Sequence, residues 1–541
     1  MNRKIEIIFA GSGFEKDKES IASFLGKRKR YWNCRFISNL KGISRLLKNI
    51  NPDIILFQDA EKQKESETWA FLKQIEERLE DVPVVVFEFS SKDNKFKIFP
   101  SKYKNIKIGD NSEPSLTKTC SFSSLVKETG YITIEKTIEE QLEKSGRVEN
   151  KEGVLITHGT DTLSWALAYL RYSLKGLKSN VAVTGSQIPL EGTFSPSDAI
   201  GNLRTAVYLL SKLKPPHLFA VFNNGKDVFS GRLTKFRKWD VDAFEGRLAA
   251  KVTHEGLKIL RDDWRLIPYK DQKLEKLHLL KTGGTIESQK SGKGGLAPKG
   301  DFVYEYIKNN LKDHFEKVVK SELFSLDSSD LSFEEWEAIA KRIEKLGLAQ
   351  CDPKFDKEVK PIFVNPLFTS KDYEKLFEMC GNAAVLLGYG AGNANTLEKS
   401  ARSILPPLKK AVKEGKYVAV TSQVPLELYD AEYESGRKLI EFGGIPCGDL
   451  SFSDAQVKLS YILGHKEVLK TISRRENVDY EVLLISSFLS GVTLTKNQSE
   501  EIAKRLKKER KGKIGLLEYD PFVSNSFEKG AGLVVSKIKS I

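Results

Sequence analysis

The sequence predicts an α/β protein whose sheets are largely parallel and covered by helices, and three observations carry that expectation. Short, continuous apolar runs such as "KIEIIFA" (4–10), "PDIILFQD" (52–59) and "VPVVVFEF" (82–89) read as strands buried on both faces. Stretches of helical period, among them "GISRLLKNI" and "ETWAFLKQIEERL", lie between those runs. Strand after strand then ends in a loop rich in Gly, Thr, Ser or Asp, where parallel sheets gather their ligands. At 541 residues the chain is too long for a single core, so several domains are expected.

Taken in order, residues 1–125 form the first α/β block. Through "NPDIILFQD" it resembles a response-regulator receiver domain. Where that resemblance implies an acidic pair after the first strand, Gly11-Ser12-Gly13 stands instead. The phospho-acceptor position falls on Gln58, with Asp59 one residue late. A flavodoxin-like accessory domain without phosphorylation is therefore expected, followed by a polar, irregular stretch over 90–120.

A large domain, 126–355, follows. It alternates a helix in "TIEKTIEEQLEKSG", strand "GVLIT" (153–157), helix "LSWALAYLRYSL", strand "NVAVTG", helix "DAIGNLRTAVYLL" and strand "HLFAVFNN". Strand "KLHLLKTG" comes next, and "VVKSELFSLDSSDLSFEEWEAIAKRIEKL" adds a strand and a helix with Asp330 near its N-cap. A smaller α/β domain, 356–497, is built on "EVKPIFVNPLF", "NAAVLLGYGAGNAN" and "KYVAVTSQVP". Residues 498–541 read as a basic C-terminal extension whose helix "SEEIAKRLKKERKGK" is a solvated face.

Composition narrows the function classes. A net charge of +14, from 87 basic and 73 acidic residues, is a mild excess over this length, so a nucleic-acid partner is not expected. Five scattered cysteines without a CxxC pair argue against a disulfide framework or a metal site, and for a reducing compartment. The opening "MNRKIEIIFAGSGFEKDKE" suits a first strand rather than a signal peptide, and no apolar run approaches the roughly 18 residues of a membrane helix. A cytoplasmic location without membrane or cofactor is expected.

The chemistry concentrates in two loops. After "GVLIT" come His158, Gly159, Thr160 and Asp161, before a helix that starts near Thr162. Unpaired N–H groups at a helix start carry partial positive charge and can hold a carboxylate or oxyanion. Gly159 permits close backbone approach, while Thr160 or Asp161, read alone, is equally an N-cap. His158 reads as a structural partner in the turn rather than a base. In "KTGGTIES" two glycines flank Thr282 and Thr285, whose hydroxyls need a base or a polarising neighbour to become nucleophiles. "VAVTGSQIP" contributes Gly185, Ser186 and Gln187, and "SLDSSD" contributes Asp327 and Ser328. Hydroxyls, a carboxylate and a lysine converging at strand ends favour metal-free acyl transfer to water. "GYGAGN" imitates a fragment of a dinucleotide loop, but no acidic residue follows at the needed spacing.

"GVLITHGTDTL" and "LLKTGGTI" are similar to the two signature motifs of the bacterial-type L-asparaginases. "VTGSQIPL", "SPSDAIGNL", "VFNN", "SGRLTK", "DAF", "DSSDLSFEEWEAIA", "GYGAGN" and "VAVTSQ" resemble the supporting set, so the likeness spans about 130–495. In that family the TGGT strand opens the large domain. Here the HGTDT segment through "SGRLTK" (153–235) precedes TGGT and DSS (282–330). A circular permutation is implied, with the join in "LRDDWRLIPYKDQKLEK" (260–276).

The resemblance implies hydrolysis of the side-chain amide of L-asparagine, with L-glutamine as a second candidate substrate, in a homodimer or homotetramer. Thr285 would be the nucleophile, and Thr160, Lys235 and Asp161 a second hydroxyl–base–carboxylate set. To act as a base near neutral pH, Lys235 would have to shed its proton or work through a bridging water. Asp161 and Ser328, with Asp327 beside them, would hold the substrate's α-amino and α-carboxylate groups, and Gly159 and Gly284 would line the same subsite. The backbone N–H near Thr160 would stabilise the oxyanion.

Two positions depart from the family pattern. Glu287 replaces a small residue next to the nucleophile, and Leu296 stands where the following loop brings a tyrosine, with Tyr304 and Tyr306 downstream. Two other readings follow. One is the glutaminase component of a tRNA-dependent amidotransferase, whose N-terminal β-barrel this chain replaces with an α/β block. The other is a catalytically degenerate amino-acid sensor.

Overall fold

The computed structural model describes, as backbone, five strands within residues 1–150 and most of residues 151–540. The interruptions are 192–195, 239, 255, 268–272, 291–295, 299, 425–432, 508–516 and 524–525, and residues 290, 296–298, 506 and 507 are described by backbone alone. The chain divides into two compact units, Met1–Glu149 and Asn150–Ile541.

In the first unit β1 (Ile5–Ala10), β2 (Trp32–Ile37), β3 (Ile54–Asp59), β4 (Val84–Ser90) and β5 (Lys95–Ile98) form one sheet in the order β2-β1-β3-β4-β5. The first four are parallel and β5 returns antiparallel. The order is that of flavodoxin-like doubly wound sheets. The two strands not expected from the sequence, "WNCRFI" and "KFKI", lie at the two edges, where polar residues interrupt the apolar run. β5 thus falls within the stretch expected to be irregular. The helical patterns of this region, including "TIEKTIEEQLEKSG", lie outside the described residues.

The second unit opens with β6 (Glu152–Thr157), α1 (Leu163–Ser173), β7 (Asn180–Thr184), α2 (Ala199–Lys212) and β8 (Leu218–Phe222). Then come β9 (Asp227–Phe229), β10 (Leu248–Thr253), β11 (Gly256–Ile259), β12 (Leu274–Gly283), α3 (Phe302–Asn310), β13 (Phe315–Leu326) and α4 (Phe333–Lys345). The eight strands make one sheet in the order β11-β10-β9-β8-β7-β6-β12-β13. β8, β7, β6, β12 and β13 are parallel, as expected, whereas β9, β10 and β11 form an antiparallel edge. Along β6, Val154 and Ile156 enter the core shared with α1 and α4, while Leu155 enters the core under α2 and α3. That alternation within an all-apolar run is why the strand carries no polar face.

Asp330 lies near the N-cap of α4, as expected: it ends a 3₁₀ turn over Ser328–Asp330, and the cap itself is Ser332, whose hydroxyl forms a capping box with the Glu335 carboxylate. In the segment 260–276, Trp264 and Ile267 are buried, and Trp264 packs edge-on against Phe219 at 5.5 Å.

A second sheet of four parallel strands follows in sequential order: β14 (Lys360–Phe363), β15 (Ala383–Gly388), β16 (Tyr417–Ser422) and β17 (Gly444–Pro446). α5 (Ser370–Glu378), α6 (Leu405–Lys413) and α7 (Glu434–Glu441) connect them. α8 (Phe452–Gly464), α9 (Lys466–Glu476), α10 (Tyr480–Leu489), α11 (Lys496–Lys507) and α12 (Phe527–Lys539) complete the chain.

The C-terminal residues are more than a solvated face. α11 buries Ile502, and α12 buries Phe527, Ala531, Val534 and Val535, at the i, i+4, i+7, i+8 spacing of an apolar stripe. Ahead of α12, Asp520 pairs with the fully buried Lys458 of α8 at 2.6 Å and accepts a hydrogen bond from the Tyr172 hydroxyl of α1 at 2.9 Å. This segment therefore ties the large sheet's helix to the small sheet's helix.

Candidate active site

The chain leaves β6 toward β7 and β8, then returns on the other side with β12 and β13. Strand order reverses between β6 and β12, and in doubly wound sheets the ligand crevice opens beyond the carboxyl ends of the strands at such a switch point. The loops that leave these two ends are His158–Asp161 and Gly284–Glu287.

The loops touch backbone to backbone. Gly284 has φ +82° and ψ 179°, and a Cβ there would lie 2.5 Å from both the N and the Cα of Gly159. Only glycine holds that conformation without strain, and only glycine fits that gap. A Cβ on Gly159 would in turn lie 2.5 Å from the Ser328 hydroxyl, so the loop after β13 closes on the same point. Asp161 N–H donates to Ser328 Oγ (3.1 Å) and the Thr162 hydroxyl donates to the Ser328 carbonyl (2.7 Å). The Thr282 hydroxyl donates to the Thr157 carbonyl (2.7 Å), so this residue staples β12 to β6.

Lys235 enters from a two-residue strand, Thr234–Lys235, that pairs with Phe244–Glu245. Its ammonium donates to Thr160 Oγ1 at 2.7 Å and to Asp161 Oδ1 at 2.6 Å. Thr160 is buried, whereas the Asp161 side chain is 59% exposed and faces the crevice mouth. Thr285, half-buried, opens the 3₁₀ turn Thr285–Glu287 one residue beyond Gly284, and its hydroxyl has no hydrogen-bond partner among the described residues. Gly159 and Thr160 likewise have backbone N–H groups without an acceptor among those residues. Gly284 N–H, by contrast, is spent on the Leu326 carbonyl at 3.1 Å, which leaves close packing as the role of that glycine. Asp327 is exposed and uses Oδ1 to cap its own turn through Ser329 N–H and Oγ, both at 2.9 Å. Ser328 is buried, and because its oxygen accepts from Asp161 its own proton stays available to a ligand.

His158 is fully buried, with Nδ1 2.6 Å from the Gly159 carbonyl and Nε2 unpartnered among the described residues. Burial pushes its pKa down to about 4, against the opposing pull of the Gly159 carbonyl, so the neutral ring donates to Gly159 and braces the turn. Glu287 is buried too. Neither carboxylate oxygen has a hydrogen-bond partner among the described residues, and burial pushes its pKa up to about 7 despite Lys281 nearby.

The downstream tyrosines are engaged elsewhere. Tyr306 accepts from Arg204 Nε at 3.1 Å, and the Tyr304 ring lies under the ammonium groups of Lys320 (5.0 Å) and Lys308 (5.7 Å). Leu296 occupies a short strand, Leu296–Pro298, paired antiparallel with Ser288–Lys290. "GYGAGN" closes on itself through reciprocal backbone bonds between Tyr389 and Asn393, and the helix after it starts only at Leu405. Sequence reasoning does not single out Lys281. It stands in an apolar run just before the TGGT turn, which is the available signal, since a lysine there must find buried partners.

Two family models match the part of the chain that carries these loops. The model described as asparaginase, N-terminal, matches residues 69–263 and 276–352, and the glutaminase/asparaginase C-terminal domain matches 359–475. The chain belongs to the asparaginase family. Among curated relatives, this asparaginase-family chain is 25% identical over 334 residues to a glutamyl-tRNA(Gln) amidotransferase subunit from Thermococcus kodakarensis, covering 61% of this chain and 58% of that one. It is 24% identical over 356 residues to an L-asparaginase of the same organism, covering 65% and 80% respectively. The chain thus spans less than two thirds of the length of the amidotransferase relative. The solved thermostable L-asparaginase from Thermococcus kodakarensis aligns with a TM-score of 0.39 at 18% identity, over 88% of this chain and 97% of that one. No helix among the described residues is long and apolar enough to cross a membrane.

Proposed function

We propose that this asparaginase-family chain hydrolyses the side-chain amide of L-asparagine to L-aspartate and ammonia through a threonine nucleophile. The observation that carries the reading is the hydrogen-bonded set Lys235–Thr160–Asp161, held one residue away from the Gly159–Gly284 contact that also places Thr285. Thr285 Oγ attacks the amide carbon while its proton passes through Thr160 to Lys235 in its amine form, and from there to the departing amide nitrogen. The oxyanion is met by the N–H groups of Gly159 and Thr160, which have no acceptor among the described residues, a contribution of about 3 kcal/mol per donor in such sites. The amide nitrogen takes up a proton and leaves as ammonia, giving an acyl ester on Thr285 that water then cleaves. Asp161 receives the substrate's α-amino group and Ser328, with Asp327 beside it, the α-carboxylate.

The same reading takes the chain order as a permutation of the large domain. It keeps 1–125, 126–355, 356–497 and 498–541 as functional segments, and it places the protein in the cytoplasm as a homodimer or homotetramer. A second reading is favoured by the amidotransferase relatives: the same amide chemistry serving a tRNA-dependent amidotransferase. A third, binding without turnover, draws support from Leu296 and from the engagement of Tyr304 and Tyr306.

Ammonia release from L-asparagine and L-glutamine, measured on the full chain and on Thr285→Ala, separates these. The expected outcome is turnover of L-asparagine that falls about 10³-fold or more in the variant. Equal ammonia release from both proteins would remove Thr285 as nucleophile. Binding of asparagine with no release supports the sensor reading, and release that depends on a co-purifying partner protein supports the amidotransferase reading.

A further inference from the structure

After Thr285 the strands 288–290 and 296–298 pair antiparallel as the two arms of a hairpin, with Ser288 opposite Pro298 and Lys290 opposite Leu296. Its entry foot is Glu287 and its exit foot is Gly300–Asp301. Both feet meet one side chain. Lys281, buried on β12, donates to the Gly300 carbonyl and to Asp301 Oδ1, each at 2.7 Å. Glu287 Oε2 lies 3.6 Å from the same ammonium, within ion-pair range but short of a hydrogen bond. Among the described residues the other charged groups around this point are Glu322 of β13, 3.7 Å from Lys281, and Lys320 of β13, which pairs with Asp301. With Glu287 neutral, the two lysines balance Asp301 and Glu322. Ionised, Glu287 adds a buried charge without a counter-charge among the described residues, and its available relief is to move less than about 1 Å into hydrogen-bond contact with the third Lys281 N–H, which has no acceptor among those residues.

That movement reaches the nucleophile directly. Glu287 N–H bonds to the Gly284 carbonyl at 3.2 Å, and the Ser288 hydroxyl bonds to the same carbonyl at 2.9 Å, so Thr285 and Glu287 share a single 3₁₀ turn. We propose that Lys281 and Glu287 are positioning residues for Thr285: the lysine clamps both feet of the hairpin after the nucleophile turn, and the glutamate closes the clamp when it ionises. The inference rests on the reading of Thr285 as nucleophile. Because burial raises the Glu287 carboxyl to about 7, the clamp closes across the neutral range, and more acidic conditions leave the entry foot loose.

The test has two readouts on the full chain and on Glu287→Gln. In the first, kcat/KM for L-asparagine is followed from about pH 5.5 to about pH 8.5. Wild type is expected to rise by about tenfold between pH 6 and pH 8 through an ionisation that Glu287→Gln lacks. Superimposable profiles would overturn the proposal. Glu287→Asp, which keeps the charge and shortens the reach, is expected to retain an inflection at reduced kcat with KM unchanged, and a Gln-like profile would count against the clamp. The second readout needs no catalysis: amide exchange in the strands 288–290 and 296–298, corrected for intrinsic rates. Exchange in wild type is expected to slow about threefold or more between pH 6 and pH 8, and in Glu287→Gln to stay constant. If no amide is hydrolysed at all, the exchange measurement still decides for or against the clamp. Exchange in wild type that does not vary with pH rejects it even in an active enzyme.

Discussion

The ends of β6 and β12 are neighbouring glycine turns, each with one buried titratable residue, yet burial acts on them in opposite senses. His158 loses its charge and Glu287 keeps its proton, because in both cases the ionised form is the one that water no longer solvates. His158, pushed down to about 4, is neutral across the physiological range and always has a proton for the Gly159 carbonyl. Glu287, pushed up to about 7, titrates where proteins work. The turn whose Gly159 and Thr160 N–H groups have no acceptor among the described residues is therefore fixed, while the turn bearing Thr285 can respond to its surroundings. One environment produces a brace at the first turn and a variable group at the second.

The contrast is broken most severely at its point of contact. Gly284→Ala places a methyl group 2.5 Å from the Gly159 backbone, at a φ and ψ that only glycine holds without strain. A loss of about 3 kcal/mol or more is expected, read as a lower midpoint in denaturant unfolding. Gly159→Ala meets the Ser328 hydroxyl instead, at 2.5 Å, and its φ is not in the left-handed region. Its cost should be smaller, with the deficit appearing in substrate affinity because Ser328 is displaced. If the two variants lose equal stability, the backbone contact is not what joins the turns.

A second experiment separates the turns by pH. Glu287 is protonated in the native state and ionises in the unfolded chain at lower pH, so the folded protein binds more protons between about 4.5 and 7. Its contribution to stability therefore falls as pH rises through that window and is flat above it. His158 has the opposite sign: the unfolded chain binds more protons between about 6.5 and 4, so stability falls as pH drops through that interval. His217, also pushed down to about 4 by burial, adds to the second trend. Unfolding free energies measured at pH 5 and pH 7.5 should show Glu287→Gln gaining on wild type as pH rises, by an amount on the order of 2 kcal/mol. His158→Asn should gain on wild type as pH falls. Parallel curves for wild type and Glu287→Gln would mean the carboxyl is not buried as described.

Much of this site is legible because its chemistry is written in short, contiguous strings. Thr160, Asp161, Ser328 and Thr285 each follow a strand end, and parallel topology brings strand ends together without further information. Lys235 lies 74 residues from Asp161 and is identified through the family resemblance, since no local periodicity points a lysine at a carboxylate. The antiparallel edge β9–β11 and the edge strands β2 and β5 are not legible, because short or alternating segments at an edge bury too little apolar surface to leave a pattern. Lys281 is hidden inside an apolar run, and Asp520 in a segment that reads as solvated. Both act through partners far away in sequence, Asp301 and Glu322 in one case, Lys458 and Tyr172 in the other.

The mildest test compares two threonines on either side of the β6–β12 junction. Thr282 donates its hydroxyl to the Thr157 carbonyl at 2.7 Å, while Thr157's own hydroxyl is buried with no partner among the described residues. The same isosteric change should therefore carry opposite signs. Thr282→Val removes a made hydrogen bond and should cost about 1 kcal/mol. Thr157→Val removes a desolvated, unpaired hydroxyl and should be neutral or stabilising by up to about 1 kcal/mol. Chemical denaturation of the two variants in parallel gives both signs. A loss at Thr157 as large as that at Thr282 would show that the β6 hydroxyl has a partner, and that this turn is held by more than the glycine contact and the His158 brace.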